Sequence, residues 1–270
     1  MKIVIAGYGP VGEAIHGALS EHSSASVRDS LFIDDPFKGH KYTPHFATSP
    51  PDAVIVCVAT PANPDDGSCV TDNVDDVFKK YGRIKNIKFL IKSAVDPVWL
   101  SKIHSDNNFS ITYSPEFLGG SNINRNPTEE FRNQTFAIFG GDDCRFWDEL
   151  FRPVLRHLSE VKYCSLDQAS FSKYVENCFL ATKVTFFNEM HALFNACGFD
   201  GYDQMIDAIT IDPRIGRSHT QVPGPDGNFG FGGHCLPKDV NALRAVAERL
   251  DRQVKILDSI VEINNGIRHE

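Results

Sequence analysis

Cys235 stands in GFGGHCLPKD, residues 230–239, behind three glycines and ahead of Lys238 and Asp239. Glycine permits backbone conformations closed to other residues and lets a second molecule come close. A thiol presented on such a loop is a candidate reactive group. A buried structural cysteine is the plainer reading. The other six cysteines, such as Cys57 in VIVCVAT, sit in apolar or mixed runs and read as small buried hydrophobes. Seven is an odd number and no C-x-x-C occurs. That argues against a disulfide scaffold or a structural zinc site, and for a reducing, cytoplasmic setting.

A second group of polar residues lies in QASFSKYVENCFLATKVTFFNEMHALFNACG. The run has no proline and reaches a glycine at Gly198, so it reads as one long helix. Its apolar residues nearly surround it, which predicts a largely buried helix. Lys173 and Asn177 are four apart and share a face. A buried lysine needs a partner or a task. A lysine at the helix edge can instead snorkel to solvent, and both readings stay open.

A third group opens the chain. GYGPVG, residues 7–12, follows the β-branched run KIVIAG and precedes EAIHGAL at helical spacing. In a strand–turn–helix dinucleotide site, Gly7 allows the tight turn and Gly9 lets a pyrophosphate reach the backbone. Gly12 lets the helix, which begins at Pro10 and Val11, pack closely. The phosphate then faces the helix N-terminus. A second strand, SLFID, ends at Asp34, 22 residues past Gly12 (34 − 12). The acid that binds a ribose hydroxyl lies about 20 residues on. Asp34 is therefore the expected ribose acceptor, favouring NAD over NADP, with Asp35 as its competitor. Thr60 and Ser93 follow the apolar runs AVIVCVA and IKFLIK, at strand ends where such sheets bind ligands.

These residues need a scaffold. Strand-like runs alternate with helical ones through ITYSPEF and TFAIFGG, which predicts an α/β fold. The expected architecture is an N-terminal Rossmann-type doubly wound, mostly parallel sheet over residues 1–165. An all-helical central domain follows over 166–270, ending in one long helix from Lys238. MKIVIAGYG reads as a first strand rather than a signal peptide. No run approaches the ~20 apolar residues of a membrane span. Net charge is -8, a poor basis for binding nucleic acid.

Taken in order, GYGPVG, VIVCVATP, IKSAV, SPEFL, KYVENCFLATKVTFFNE, DPRIG and GFGGHCLPKD resemble the nucleotide-sugar dehydrogenase family, the UDP-glucose and GDP-mannose 6-dehydrogenases. The resemblance covers nearly all of the chain. It implies oxidation of a sugar nucleotide's primary alcohol to a carboxylate with two NAD in succession. Cys235 would be the nucleophile, passing through a thiohemiacetal and a thioester. A cation lowers a thiol's pKa, and Lys238 and a helix start near Lys238–Asp239 could supply positive potential. By the same resemblance Lys173 stabilises the oxyanion and Asn177 partners it. Asp239 orients water or assists proton transfer, and Glu116 serves thioester hydrolysis. Phe117, Leu118, Phe231 and Gly232 line the sugar pocket, and Arg214 reaches substrate across a dimer interface. Lys238 joins Gly7, Gly9, Pro10, Val11, Gly12, Asp34, Thr60 and Ser93 on the cofactor side. No metal is implied. A homodimer is expected, with no nucleic-acid or membrane partner.

The chain also departs from the family pattern. Ala94 stands where a threonine is common, and Gly120 where a second acid is common. Both changes touch hydrolysis. The segment after Asp34 is short. Family members continue past the long helix into a nucleotide-binding domain, so a short form ending at Glu270 is expected. SPEFL and LPKD point to glucose or mannose, whereas GGHC with His234 points to N-acetylhexosamines. UDP-glucose leads. Two other readings remain: a β-hydroxyacid dehydrogenase making one hydride transfer, and a non-catalytic NAD-binding assembly subunit.

Overall fold

The structure is a computed structural model that describes residues 1–42, 49–118 and 126–268. Gly120 and Glu270 lie outside the described residues. In chain order the elements are β1 (Ile3–Ala6), α1 (Pro10–Leu19), α2 (Ala25–Arg28), β2 (Leu31–Asp34) and a single 3-10 turn at Pro36–Lys38. They continue with β3 (Ala53–Val56), α3 (Asp72–Tyr81), β4 (Lys88–Ile91), α4 (Pro97–Asp106), β5 (Ser110–Tyr113), α5 (Pro127–Arg132), β6 (Phe136–Gly141), α6 (Cys144–Phe151) and β7 (Glu160–Cys164). Then come α7 (Leu166–Ala196), α8 (Tyr202–Ile209), α9 (Cys235–Arg249) and α10 (Lys255–Ile267).

The strands form one sheet in the order β2-β1-β3-β4-β5-β6-β7. Every pair is parallel except β5 with β6. The doubly wound, mostly parallel sheet is therefore present. Successive side chains of a strand point to opposite faces. In β1, Ile3 and Ile5 enter one core cluster with Ile15 and Leu19 of α1, while Val4 and Ala6 enter a second with Val74 and Phe78 of α3. Both faces are covered, which is why the strand reads as an unbroken apolar run.

The chain divides into two compact units. One comprises residues 1–61 and 69–173, with the whole sheet; the other comprises 62–68 and 174–270. The division falls inside α7, eight residues past the boundary expected at 165/166 (173 − 165). Among the described residues the second unit's named elements are helices, packed through Cys178, Ala181, Phe231, Val240, Leu257 and Ile260.

Two expectations are corrected. The last segment is two helices rather than one. α9 ends at Arg249, Asp251 adopts a left-handed φ of 53°, and α10 begins at Lys255. The turn lets Leu257 and Ile260 of α10 share a cluster with Val240 of α9. Burial on both helices outweighs the helical propensity of LDRQV, which holds no glycine or proline to mark the break. Nor is α7 largely buried. Phe171, Val175, Phe179, Phe186 and Leu193 form an exposed apolar stripe, with Phe179 63% accessible. The intervals of four and seven residues keep them on one side of the helix.

Candidate active site

The first unit carries the turn from β1 into α1. Gly7 has φ 90°, and a Cβ there would lie 2.7 Å from the backbone of Cys57 and Val58 on the neighbouring strand. A Cβ on Gly12 would collide with the Gly7 carbonyl. A Cβ on Gly9 would meet nothing within 4 Å. Two glycines are thus needed for packing within the protein, while the middle one leaves its backbone open to a ligand. Gly9 is the N-cap of α1, with no side-chain cap, and Pro10 opens the helix. The free N–H groups and helix dipole make this end suited to an anion. These features fit the diphosphate of a dinucleotide.

The expected ribose acid, Asp34, is engaged within the protein. Asp34 is 7% accessible, and its Oδ2 accepts from Lys80 Nζ at 2.7 Å and from the Tyr81 hydroxyl at 2.6 Å. This carboxylate is engaged by α3 and, through Oδ1, by the Tyr42 N–H at 3.3 Å. Asp35, one residue on, points the other way. Its Oδ2 accepts the backbone N–H of Tyr8, inside the glycine turn, at 2.7 Å. Its Oδ1 caps the 3-10 turn through Phe37 and Lys38. Strand alternation decides between the neighbours, and it places Asp35 at the dinucleotide turn.

Thr60 and Ser93 sit past the ends of β3 and β4, as expected. Their hydroxyls donate to the carbonyls of Ala94 at 2.6 Å and Val58 at 2.7 Å, respectively. They stitch the two loops together, and only their lone pairs remain for a ligand.

Glu116 lies beyond β5 and is 7% accessible. Its Oε1 accepts from Phe117 N at 2.9 Å, Leu118 N at 3.1 Å and Gln134 Nε2 at 2.9 Å. Lys92, at the end of β4, places Nζ 3.1 Å from Oε2. Lys173 Nζ stands 5.2 Å from the centre of the Phe117 ring, within cation–π range. Leu118 packs against the core cluster that covers α1.

The second unit holds Cys235 at the first position of α9, after His234, which provides no side-chain cap. The helix begins three residues before the expected start at Lys238, so the thiol itself occupies the positive end of the dipole. Cys235 is exposed. Burial pushes the Cys178 thiol up to about 12 and raises Cys57 further. Those two are packing groups; of the two exposed cysteines, Cys197 and Cys235, Cys235 is the one at a helix N-terminus.

Asp239, on the same helix, is 1% accessible. It accepts from Asn177 Nδ2 and from Lys238 Nζ, each at 2.5 Å. The structure thus joins three expected site residues in one network. Phe231 differs from expectation. It is 4% accessible, packed in the helical core, with its backbone N–H and C=O both paired to Asn264. Gly232 lies under the Arg268 guanidinium, which would collide with any Cβ there. Both residues shape the loop from behind. Arg214 is 87% accessible and pairs with Asp212. Lys183 is lowered from its ordinary value by burial and donates to the carbonyls of Ile215 and Gly216, anchoring the Arg214 loop.

Sequence reasoning missed Lys92 and Gln134, and ranked Asp35 behind Asp34. Lys92 had one signal, a cation closing the apolar run IKFLIK. Gln134 had none, because its partner is 18 residues away.

Residues 167–266 match the model of the UDP-glucose/GDP-mannose dehydrogenase family, central domain. Residues 167–266 are thus similar to that family's central domain, and the similarity to curated relatives extends over 79% of the chain. The chain is 31% identical over 225 residues to UDP-glucose 6-dehydrogenase of Rickettsia prowazekii (strain Madrid E), spanning 79% of this chain and 49% of that protein. It is 28% identical over 239 residues to GDP-mannose 6-dehydrogenase of Pseudomonas putida, spanning 80% and 51%. The chain therefore spans about half the length of these curated relatives. Among solved structures it resembles a UDP-glucose dehydrogenase from Pyrobaculum islandicum, with TM-score 0.75, 23% identity and coverage of 98% and 68%. It also resembles a Mycobacterium tuberculosis 3-hydroxyisobutyrate dehydrogenase, with TM-score 0.68, 16% identity and coverage of 98% and 92%. The dehydrogenase fold of the family is thus shared with an enzyme of a different substrate class.

Proposed function

We propose that the protein is an NAD-dependent dehydrogenase that oxidises a nucleotide sugar, with UDP-glucose the first candidate, to its uronate. The observation that carries this reading is the exposed Cys235 at the start of α9, four residues before the buried Asn177–Asp239–Lys238 network. A dehydrogenase acting on a simple alcohol has no use for a thiol there.

NAD, when bound, supplies the hydride acceptor. The backbone at Gly9, Pro10 and Val11 would hold its diphosphate, and the Asp35 carboxylate its ribose. An anion at Asp35 repels a 2′-phosphate, which favours NAD over NADP. Cys235 thiolate would add to the aldehyde carbon and make it tetrahedral. Lys173 would offset charge on the sugar oxygen, and Asn177 would donate a hydrogen bond. Asp239 holds Asn177 in place. Water opens the thioester and returns the thiolate, with Glu116 accepting the proton.

Supporting names come from the relatives, which are called UDP-glucose and GDP-mannose 6-dehydrogenases. A dimer is part of the proposal. The stripe on α7 is apolar, exposed and long enough to pair with a second copy, and Arg214 is extended at the surface. All seven cysteines are free thiols, which fits a reducing, cytoplasmic setting. No helix among the described residues is long and apolar enough to cross a membrane.

NADH released per sugar nucleotide tests the reading. Two equivalents and acid product are expected, and Cys235→Ser should form no acid. One equivalent would support the β-hydroxyacid type of reaction, whose fold the Mycobacterium tuberculosis enzyme shares. NAD binding without NADH from any UDP- or GDP-sugar would support an assembly subunit. Sedimentation should show a dimer that Phe179→Glu dissociates.

A further inference from the structure

Lys92 and Glu116 form an ion pair whose side chains are only 4% and 7% accessible. Two charges are rarely taken out of water together without a purpose, and removing one strands the other. The surroundings are specific. Lys92 Nζ donates to Ser114 Oγ at 3.2 Å and lies 5.8 Å from the centre of the Phe131 ring. Glu116 Oε1 takes three N–H donors, whereas Oε2 faces Lys92 and accepts no hydrogen bond among the described residues. The two carboxylate oxygens therefore have different tasks. Oε1 is tied to the loop, and Oε2 is buried against the Lys92 ammonium. Another titratable group near the pair is the Cys57 thiol, whose pKa burial raises. Beside the pair lies a cavity of about 10 Å³, lined in part by Lys92, Ser114, Pro115 and Gln134. The rest of its lining is apolar, and Glu116 does not line it.

We propose that Lys92 is a positioning residue for Glu116. Its ammonium pairs with the buried carboxylate through Oε2 and holds that oxygen in place. This matters because Ala94 and Gly120 remove two polar side chains common at this step in the family, leaving Lys92 and Gln134 to orient the carboxylate. The catalytic part rests on the function proposed above. In that step water oxygen bonds the acyl carbon, one water proton passes to Glu116, the C–S bond breaks and the thiolate leaves. The ion pair itself does not depend on that reading.

Isotope-edited infrared spectra, with Glu116→Gln to assign the band, test the pair without any turnover. At neutral pH the wild type and Lys92→Arg should show Glu116 as carboxylate, and Lys92→Met should show a carboxylic acid. An unchanged carboxylate band in Lys92→Met would overturn the proposal. Should Lys92→Met fail to fold, the charge-free pair Lys92→Met with Glu116→Gln decides. Recovered folding supports the coupling, and continued misfolding overturns it. In turnover, Lys92→Met should lower kcat for acid formation about tenfold or more with KM little changed, and Lys92→Arg should restore it. Normal kcat in a folded Lys92→Met would remove the catalytic role. A wild type producing no NADH would sink the functional reading and leave the infrared result to judge the ion pair.

Discussion

Two glycine turns in this protein lead into helices without side-chain caps, and they are built differently. At Gly7–Gly12 the constraint comes from backbone. Gly7 is pressed against the neighbouring strand and Gly12 against the Gly7 carbonyl, while Gly9 is open. At Gly230–Gly233 the constraint comes largely from side chains. The Gly230 N–H donates to Asn188 Oδ1 at 3.0 Å, and Arg268 covers Gly232 while pairing with Asp226 at 2.7 Å. Gly233 has φ 73° and open space around it. The first turn offers N–H groups to an anion. The second places a nucleophilic side chain, Cys235, at the same kind of helix end. A backbone-built turn suits a fixed ligand contact, and a side-chain-built one can be loosened.

Substitutions should separate the two turns. The largest effect is expected at Gly12→Ala, where the new methyl strikes a backbone carbonyl that cannot yield. A loss of about 3 kcal/mol is expected in denaturant unfolding, with NAD binding lost as well. A stability equal to wild type would mean the first turn is not backbone-built.

The paired acids come next. Asp35→Asn should weaken NAD binding about tenfold or more in calorimetric titration, since a hydrogen bond to a charged group is worth roughly 1.5–3 kcal/mol. Asp34→Asn should instead lower stability, because it leaves Lys80 and Tyr81 facing a neutral amide, and should leave NAD affinity near wild type. The reverse pattern would restore Asp34 as the ribose acid.

A smaller effect is expected from acid. The hydrogen bond from Arg268 holds the Asp226 carboxyl below its ordinary value. A depressed carboxylate stabilises the folded state above its unfolded value, and that contribution is lost as pH falls through the folded value. Below about pH 4, then, amide exchange at Gly230–Gly233 should quicken before exchange at Gly7–Gly12 does. Simultaneous loss at both turns would contradict the distinction. The smallest stability change is expected at Gly9→Ala, about 0.5–1 kcal/mol as an N-cap substitution, accompanied by weaker NAD binding.

Much of this protein was legible in its sequence wherever the signal was local. The apolar runs of β1 and β3, the three glycines of the first turn and the stop at Gly198 are each contained within a few residues, and each is found where its chemistry requires. Asn177 and Asp239 were each named from resemblance, but the hydrogen bond that joins them across 62 residues was not expected.

What only tertiary structure decided is which way a side chain faces and what meets it. Asp34 and Asp35 are chemically alike, and strand pleating sends one to Lys80 and the other to Tyr8. LDRQV carries no breaker, and the packing of α10 against α9 breaks the helix there. The stripe on α7 looked like core because an apolar residue has the same composition whether its neighbour is the same chain or another. Lys92 and Glu116 meet because β4 and β5 are adjacent in the sheet, a pairing that no property of IKSAV or SPEFL contains. Sequence by itself determined the elements and the chemically capable residues, since those follow from local backbone preference and residue type. Strand order and burial then chose their partners, because electrostatics and hydrogen bonding act through space.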